Sequence, residues 1–349
     1  MTPEETLAVV ILNWNGKQFL ERFLQNVVEN SRPYPVIVAD NASTDGSVEF
    51  LKTAFPEVQI ILNAENGGFA KGYNDALQHV SAKYYVLLNS DVEVSPNWLG
   101  PMLAEMPDDK VAGVQPKVLS WQNRTSFEHA GASGGFVDKY YFPFCRGRIF
   151  DQIEEDLGQY NHPTDIFWAT GAAMLIRSDL FWKAGGFDER FFAHMEEIDL
   201  CWRINRMGFH FRVAPDSLVY HVGGGTLSYM SPRKTYLNFR NSLLMIQKNH
   251  YGGLFWLMFR RLTQDGWAAG MFLLKGQFSH CWAVLKAHVS FYWQMPKSMK
   301  ERKKFRDLGK GITCGRYNDS LVFARYVKKV KAFSGLNQRL IGNAAKAKR

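Results

Sequence analysis

A chain of 349 residues, 46% of them hydrophobic, holds one large domain or a domain with an appendage, and either buries a substantial core. Its net charge of +9 is unevenly spread: residues 236–349 carry 22 Lys+Arg against 4 Asp+Glu, while residues 1–235 carry 20 against 29, so an acidic body precedes a basic tail that suits an anionic partner, lipid or nucleic acid. No run of 18 uninterrupted apolar residues supports a spanning helix, the four cysteines (145, 201, 281 and 314) form no C-x-x-C pair and read as reduced thiols, and the acidic start Met1-Thr2-Pro3-Glu4-Glu5 shows no secretory signal, which together predict a cytoplasmic protein.

Leu7 to Trp14 predicts a strand closed by Asn15-Gly16, and Lys17 to Glu29 a helix, with apolar residues at 19, 20, 23, 24, 27 and 28. Val36 to Ala39 predicts a second strand ending on Asp40, before a polar turn and a helix through Leu51 to Phe55. A third strand, Val58 to Leu62, leads through Asn66-Gly67-Gly68 to a helix ending near Val80. Tyr84 to Leu88 is aromatic and aliphatic without alternation, which suits a central strand covered on both faces, and it stops on Asn89-Ser90-Asp91. Strands alternating with helices at this spacing predict right-handed βαβ units and a Rossmann-like α/β fold with a mostly parallel sheet.

Beyond residue 95 the regularity loosens. Pro96 opens a helix through Leu103, Val111 to Leu119 predicts a strand, and residues 120–165, rich in Gly and aromatics, suit a hairpin-bearing insertion. Ala169 to Ile176 predicts a strand, Ser178 the cap of a short helix and Gly185-Gly186 its end, residues 196–207 a further helix, and 209–213 and 218–220 two strands, the second running into His221 and Gly223-Gly224-Gly225.

Ligands of parallel sheets bind beyond the carboxyl ends of the strands, so Asp40, the Gly67-Gly68 loop and Asn89 to Asp91 are candidates. Asn89 and Asp91 share one face of their strand and can address one hard divalent cation, although the same residues also make ordinary turns. Asp40 can accept hydrogen bonds from a base or ribose, or simply cap a turn with Asp45. Backbone N–H groups of the glycine loop can approach a nucleotide, but no Gly-Lys-Ser/Thr follows to make a Walker loop. Glu196, Glu197 and Asp199 open a helix, where the macrodipole favours acids, and Asp199 is set to pair with Arg203. The aromatic segment before them suggests a cleft wall, in which a glutamate has a raised pKa and can act as general base. His221 can supply an imidazole to an ion at Asp91.

Taken together, Val10-Ile11-Leu12-Asn13-Trp14-Asn15, Asp40 to Ser47, Asn66 to Ala70, Leu88-Asn89-Ser90-Asp91, Gly185 to Glu189 and Glu196 to Arg203 resemble family 2 glycosyltransferases, most closely the bacterial rhamnosyltransferase type, over residues 6 to 250. The resemblance implies a GT-A fold, a nucleotide-sugar donor, a divalent metal (Mg2+ or Mn2+) and inversion at the anomeric carbon. It also implies a nucleotide site of Asn13, Asp40, Asn41, Gly67, Gly68, Asn74, Asn89 and Ser90, with Asp91 and His221 as metal ligands and Glu197 or Glu196 as the base. Two departures stand out: Asn89 replaces the first acid of the D-x-D motif, so the metal has one fewer carboxylate, and Glu197 replaces the usual Asp of the catalytic pair.

The donor the resemblance favours is dTDP-L-rhamnose, and the acceptor a glycan or lipid-linked glycan of cell-surface polysaccharide. A non-catalytic sugar-nucleotide binder and a nucleotidyltransferase are the alternatives. The expected division is a catalytic domain of residues 1–235 and a helical, basic, aromatic-rich region of 236–349. That region carries Trp256, Trp267, Trp282 and Trp293 among interspersed cations and a polybasic run from Lys297 to Arg306, which suits the inner face of an anionic membrane, or alternatively a helical cap on the body. No RNA- or DNA-binding motif accompanies these charges, so nucleic acid is not an expected partner, and the oligomeric state stays open.

Overall fold

The computed structural model describes residues 2–223, 231–311 and 314–342, apart from the side chains of Pro3 and Glu4. Gly224 and Gly225 of the glycine run after His221 lie outside the described residues, as do the tail residues 343–349. In chain order the elements begin with α1 (Pro3–Thr6), β1 (Leu7–Asn13), α2 (Lys17–Ser31), β2 (Val36–Asp40), α3 (Ser47–Ala54), β3 (Gln59–Leu62), α4 (Gly68–Leu77), β4 (Tyr84–Asn89), β5 (Val92–Val94), α5 (Leu99–Ala104) and β6 (Val111–Ser120). Four short strands follow, β7 (Gly135–Asp138), β8 (Pro143–Cys145), β9 (Arg148–Ile149) and β10 (Gln152–Ile153), and then β11 (Thr164–Ile166), β12 (Ala173–Arg177), α6 (Ser178–Lys183), α7 (Glu196–Arg206) and β13 (His210–His221). The tail holds α8 (Pro232–Asn249), α9 (Phe255–Leu274), α10 (Phe278–Lys304), β14 (Arg316–Tyr317) and α11 (Leu321–Tyr326).

The large sheet runs β11-β13-β6-β12-β4-β1-β2-β3, with β5 paired to β13. β1 to β4 are mutually parallel, and so are β6 and β13, whereas β12 lies antiparallel to both its neighbours, β4 and β6. Alternation along the central strands sends Leu7, Val9, Ile11, Val86 and Leu88 to the side of α2, α3 and α5, and Ala8, Val10, Tyr85 and Leu87 to the side of α4, α6 and α7. Both faces are buried, which is why these strands are apolar throughout.

Several boundaries differ from the expectation for local reasons. The strand expected from Ala169 starts at Ala173, because the hydroxyl of Thr170 donates to the carbonyl of Ala130 and accepts from the Ala172 N–H, holding the segment as a loop. Ser178 is no cap: it is the first residue of α6, and its hydroxyl donates to the carbonyl of Lys83. The two strands expected at 209–213 and 218–220 are one, β13, with a register shift between Ala214 and Leu218 around Pro215, which has no N–H for the ladder. Residues 135–153 form a second sheet in the order β10-β9-β8-β7-β14, its last strand supplied by the tail.

The tail is thus bound into the body. The backbone N–H of Leu321 donates to buried Asp138 at 2.9 Å, and Phe333 packs on Phe136 and Phe144. Residue 236, where the basic region was expected to begin, lies inside α8, whose Leu243 to Ile246 are buried in the core shared with the sheet.

Candidate active site

One cleft of about 1030 Å³ opens at the carboxyl ends of β1 and β4 and extends along the small sheet and α9. Asn41, Gly68, Asn89, Ser90, Asp91, Glu196, Glu197 and His221 all line it, so residues up to 180 positions apart share one hollow. Four candidates do not reach its wall. Asn13 and Asp40 are fully buried behind it: Asn13 Nδ2 donates to Asp40 Oδ2 at 3.0 Å, and the Ser43 N–H donates to Asp40 Oδ1 at 2.8 Å. Gly67 precedes α4 without lining the cleft. Asn74 is a correction, because its amide is spent on the backbone of Phe187, donating to the carbonyl at 2.9 Å and accepting from the N–H at 2.9 Å.

The β5–β13 ladder brings Asp91 and His221 together, since His221 pairs with Val92 and the Val222 N–H donates to the Asp91 carbonyl. Asp91 Oδ1 lies 3.1 Å from His221 Nε2, while His221 Nδ1 faces Glu128 at 3.5 Å. Burial alone would lower the imidazole, but Asp91 and Glu128 on its two sides raise it to about 10. Nε2, the nitrogen that faces Asp91, is the atom that can bind a cation once the imidazole gives up its proton there. A carboxylate oxygen and an imidazole nitrogen converging in this way fit Mn2+ or Mg2+ that takes the rest of its shell from phosphate and water. Among the described residues no group of three His, Cys, Asp or Glu side chains forms a self-sufficient metal site, in keeping with Asn89 where a second acid would stand.

The glutamates are held by a strained segment. Phe192, His194 and Met195 all have positive φ (63°, 69° and 73°), an unfavourable conformation for side chains of this size. Buried Asn241 of α8 over-determines it: its Nδ2 donates to the carbonyls of Phe191, Ala193 and His194 at 3.0, 2.9 and 2.7 Å. From the other side the Phe69 N–H donates to the Phe192 carbonyl at 2.7 Å, and Gly68 is required there, because its φ is +77° and a Cβ would stand 2.5 Å from that same carbonyl oxygen. The glycine loop therefore braces the catalytic-side loop as well as lining the cleft. Asp199 pairs with Arg203, as the i,i+4 spacing predicts.

Glu196 and Glu197 each keep one buried carboxyl oxygen without a hydrogen-bond partner among the described residues. Burial raises the Glu197 pKa to about 7, against the pull of backbone N–H groups. Burial, reinforced by the charge of Glu197, raises that of Glu196 well above the ordinary value. Near neutral pH one acid of the pair can take up a proton while the other stays protonated.

Sequence reasoning missed the cationic and aromatic lining. Trp14, half exposed, offers a ring at the nucleotide end. Burial, reinforced by the charges of Arg148 on β9 and Lys234 on α8, lowers the His129 imidazole to about 3 and leaves it neutral. Arg148 is 92% buried, with its Nε unpartnered among the described residues. A signal for α8 was in the sequence: Arg233 and Lys234 occupy the first turn of a helix, where the macrodipole disfavours cations, so their place is not explained by helix stability.

The model of glycosyl transferase family 2 matches residues 8–185, just over half of the chain. Among relatives, the N-acetylglucosaminyl-diphospho-decaprenol L-rhamnosyltransferase of Mycobacterium tuberculosis is 25% identical over 235 residues, covering 62% of this chain and 76% of the relative. Among solved structures, GalNAc-T7 with UDP, GalNAc and Mn2+ superimposes with a TM-score of 0.56 at 16% identity, covering 94% of this chain and 57% of that one. The Pyrobaculum calidifontis mannosyltransferase PcManGT with GDP-Man and Mn2+ gives 0.50 at 15% identity, covering 88% and 87%. A family match of that length, carried on a GT-A sheet with helices appended at its carboxyl end, makes this chain a member of glycosyl transferase family 2, with a rhamnosyltransferase among its relatives.

Proposed function

We propose that the protein is an inverting, metal-assisted glycosyltransferase that moves a sugar, L-rhamnose from dTDP-L-rhamnose by preference, to a hydroxyl of a glycan or lipid-linked glycan at the inner face of a membrane. The observation that carries this reading is the shared cleft, lined both by Asp91 and His221 and by Glu196 and Glu197. Glu197 takes the proton from the acceptor hydroxyl as its oxygen attacks the anomeric carbon, and the bond to the diphosphate breaks on the opposite face. Asp91 and His221 would hold a divalent cation, which supplies charge stabilisation for the departing diphosphate. Arg148, Arg233 and Lys234 add fixed positive charge to the same cleft, and Trp14 offers a stacking surface to the base, with Asn41 and the Asn13–Asp40 pair shaping the floor beneath it. The rhamnosyl preference and the lipid-linked acceptor draw on the mycobacterial relative, a rhamnosyltransferase named for a decaprenol-linked acceptor.

Melting-temperature shifts across a panel of nucleotide sugars, followed by product analysis, test the reading. dTDP-L-rhamnose with Mn2+ or Mg2+ gives the largest shift and is turned over. Binding without turnover on any hydroxyl acceptor would favour the sugar-nucleotide binder, and formation of a nucleotide sugar from an added nucleoside triphosphate and sugar phosphate, with release of diphosphate, the nucleotidyltransferase.

Asp91→Asn is expected to lower turnover by roughly a hundredfold, and to abolish the extra stabilisation that Mn2+ adds to bound nucleotide. Isothermal titration of nucleotide with and without Mn2+ checks the binding half. Equal metal dependence in variant and parent would move the cation elsewhere.

Asn241→Ala removes three hydrogen bonds from the strained loop while touching no cleft ligand in its own right. The glutamates then lose their fixed geometry, and kcat is expected to fall roughly ten- to a hundredfold with little change in donor KM. A fall in donor affinity with kcat intact would contradict this positioning role.

A further inference from the structure

The helical hairpin α9–α10 leaves one stripe of each helix uncovered, and the two stripes have an unusual composition. On α9 the exposed positions Trp256, Phe259, Trp267, Met271 and Leu274 recur at helical spacing, and on α10 Phe278, Trp282, Leu285, Val289 and Trp293 do the same. Trp256 is 68% and Trp293 83% exposed. Between them stand the exposed cations Arg260, Lys275, Lys286, Lys297 and Lys300. From residue 250 to residue 300 the chain has a single acid, Asp265, and that acid is buried, bonded to Arg261 at 3.1 Å. Glu301, near the end of α10, is partly exposed and taken up by Lys304 at 3.1 Å, so the exposed side of the hairpin presents aromatic rings and a large excess of positive charge.

We infer that this face docks onto the surface of an anionic lipid bilayer, and that the active-site cleft opens at its border, so that the acceptor's lipid chain stays in the bilayer while its sugar reaches Glu197. Charge decides between a bilayer and a second copy of the chain. A self-complementary interface would set these lysines against their own copies with only Glu301, already taken up by Lys304, to pair, whereas an anionic headgroup layer neutralises every one of them, and Trp rings favour the headgroup level. No helix among the described residues is long and apolar enough to cross a membrane, so the hairpin lies on the surface.

The cleft meets this face at Trp267. That side chain is half exposed on the α9 stripe and also lines the cleft, where it packs edge to face on Tyr326 of α11 with 5.4 Å between ring centroids. Ala268, Val322, Phe142 and Phe150 line the same cleft and add apolar surface to it. A sugar acceptor on a lipid carrier needs a path of this kind, polar at the reacting end and apolar toward the bilayer.

The assignment of the cleft's outer end to an acceptor rests on the transferase reading above, but bilayer binding does not require turnover, so the two fail separately. The test is flotation of the full chain with vesicles of phosphatidylcholine alone or with one-third phosphatidylglycerol, in 0.1 M and 0.5 M salt. Binding is expected only to the anionic vesicles, and to weaken at the higher salt. Lys286→Glu/Lys297→Glu/Lys300→Glu and, separately, Trp256→Ser/Trp293→Ser each lower the partition coefficient by roughly tenfold or more, with the melting temperature and its shift on nucleotide binding unchanged. Acetylation footprinting gives the orientation: anionic vesicles protect Lys275, Lys286 and Lys297 while Lys17 and Lys52, on helices of the opposite layer, stay reactive. The inference is overturned by absence of binding at low salt, by equal binding to neutral vesicles, by equal protection of all five lysines, or by a dimer in solution that the tryptophan substitutions dissociate.

Discussion

Glu197→Gln is expected to slow sugar transfer by roughly 10²–10⁴-fold while leaving nucleotide-sugar affinity within about threefold of the parent. Gln keeps the volume of the side chain and its backbone setting but cannot take the acceptor's proton. The partner substitution separates the two acids. Burial and the neighbouring charge keep Glu196 protonated well above the ordinary carboxyl range, so Glu196→Gln replaces a neutral acid by a neutral amide and costs far less. The pH profile carries the same logic with a definite sign. Only ionised Glu197 is a base, and burial raises its pKa to about 7, so the rate falls about tenfold per unit as pH drops below that value and levels off above it. Glu196→Gln keeps this inflection and Glu197→Gln loses it. Should Glu196→Gln be the inactive variant, with the inflection surviving in Glu197→Gln, the roles of the pair are exchanged.

The elements that hold this site were legible in the sequence to different degrees. β1, β2 and β4 are buried on both faces, so their apolar runs announce themselves, and the polar residues that stop them mark the carboxyl edge where the cleft opens. Strand direction leaves no such mark: β12 has the same apolar character as β4 and β6 and runs the other way, because the chain reaches it from β11 at the edge of the same sheet by a loop rather than through a crossover helix. The Gly- and aromatic-rich stretch of 120–165 announced hairpins but not their strands, since β8, β9 and β10 are two or three residues long and are defined by pairing that no periodicity can report.

The same distinction runs through the site. Asp91, Glu196, Glu197 and His221 could be named because each follows a strand end or opens a helix in a recurrent motif, whereas Arg148 and Lys234 become neighbours of His129 only through the tertiary fold. Asn74 misled for a related reason. An amide on a helix beside the cleft is chemically suited to a nucleotide, but in the fold the Phe187 backbone claims it first.

Asp199→Ala is expected to destabilise the fold by roughly 3–5 kcal/mol, lowering the melting temperature on the order of 5–10 °C. The carboxylate is fully buried and accepts from Arg203 Nε at 3.0 Å, Lys248 Nζ at 2.7 Å and Asn249 Nδ2 at 2.6 Å, tying α7 to α8. Its removal leaves buried Arg203 with only the carbonyls of Ala184 and Gly186, and leaves Lys248 to Asp188, which Arg190 and Lys248 already hold well below the usual carboxylate range in spite of its burial. Lys248→Met added to Asp199→Ala is then expected to recover part of the loss, because an apolar chain of similar length removes one stranded charge, and the double-mutant cycle reads the coupling between the two residues. The network also reaches the chemistry. Asp188 leads into the strained loop, and Arg240, eight residues before Lys248 on α8, donates to the carbonyls of Arg190 and Phe191. Loosening α7 from α8 therefore releases the glutamates from the side opposite the glycine loop, and the variant's kcat at a temperature where it remains folded should fall further than its donor affinity. A stability loss below 1 kcal/mol in Asp199→Ala would mean that water replaces the carboxylate among these cations and that the α7–α8 contact is held by its apolar residues alone.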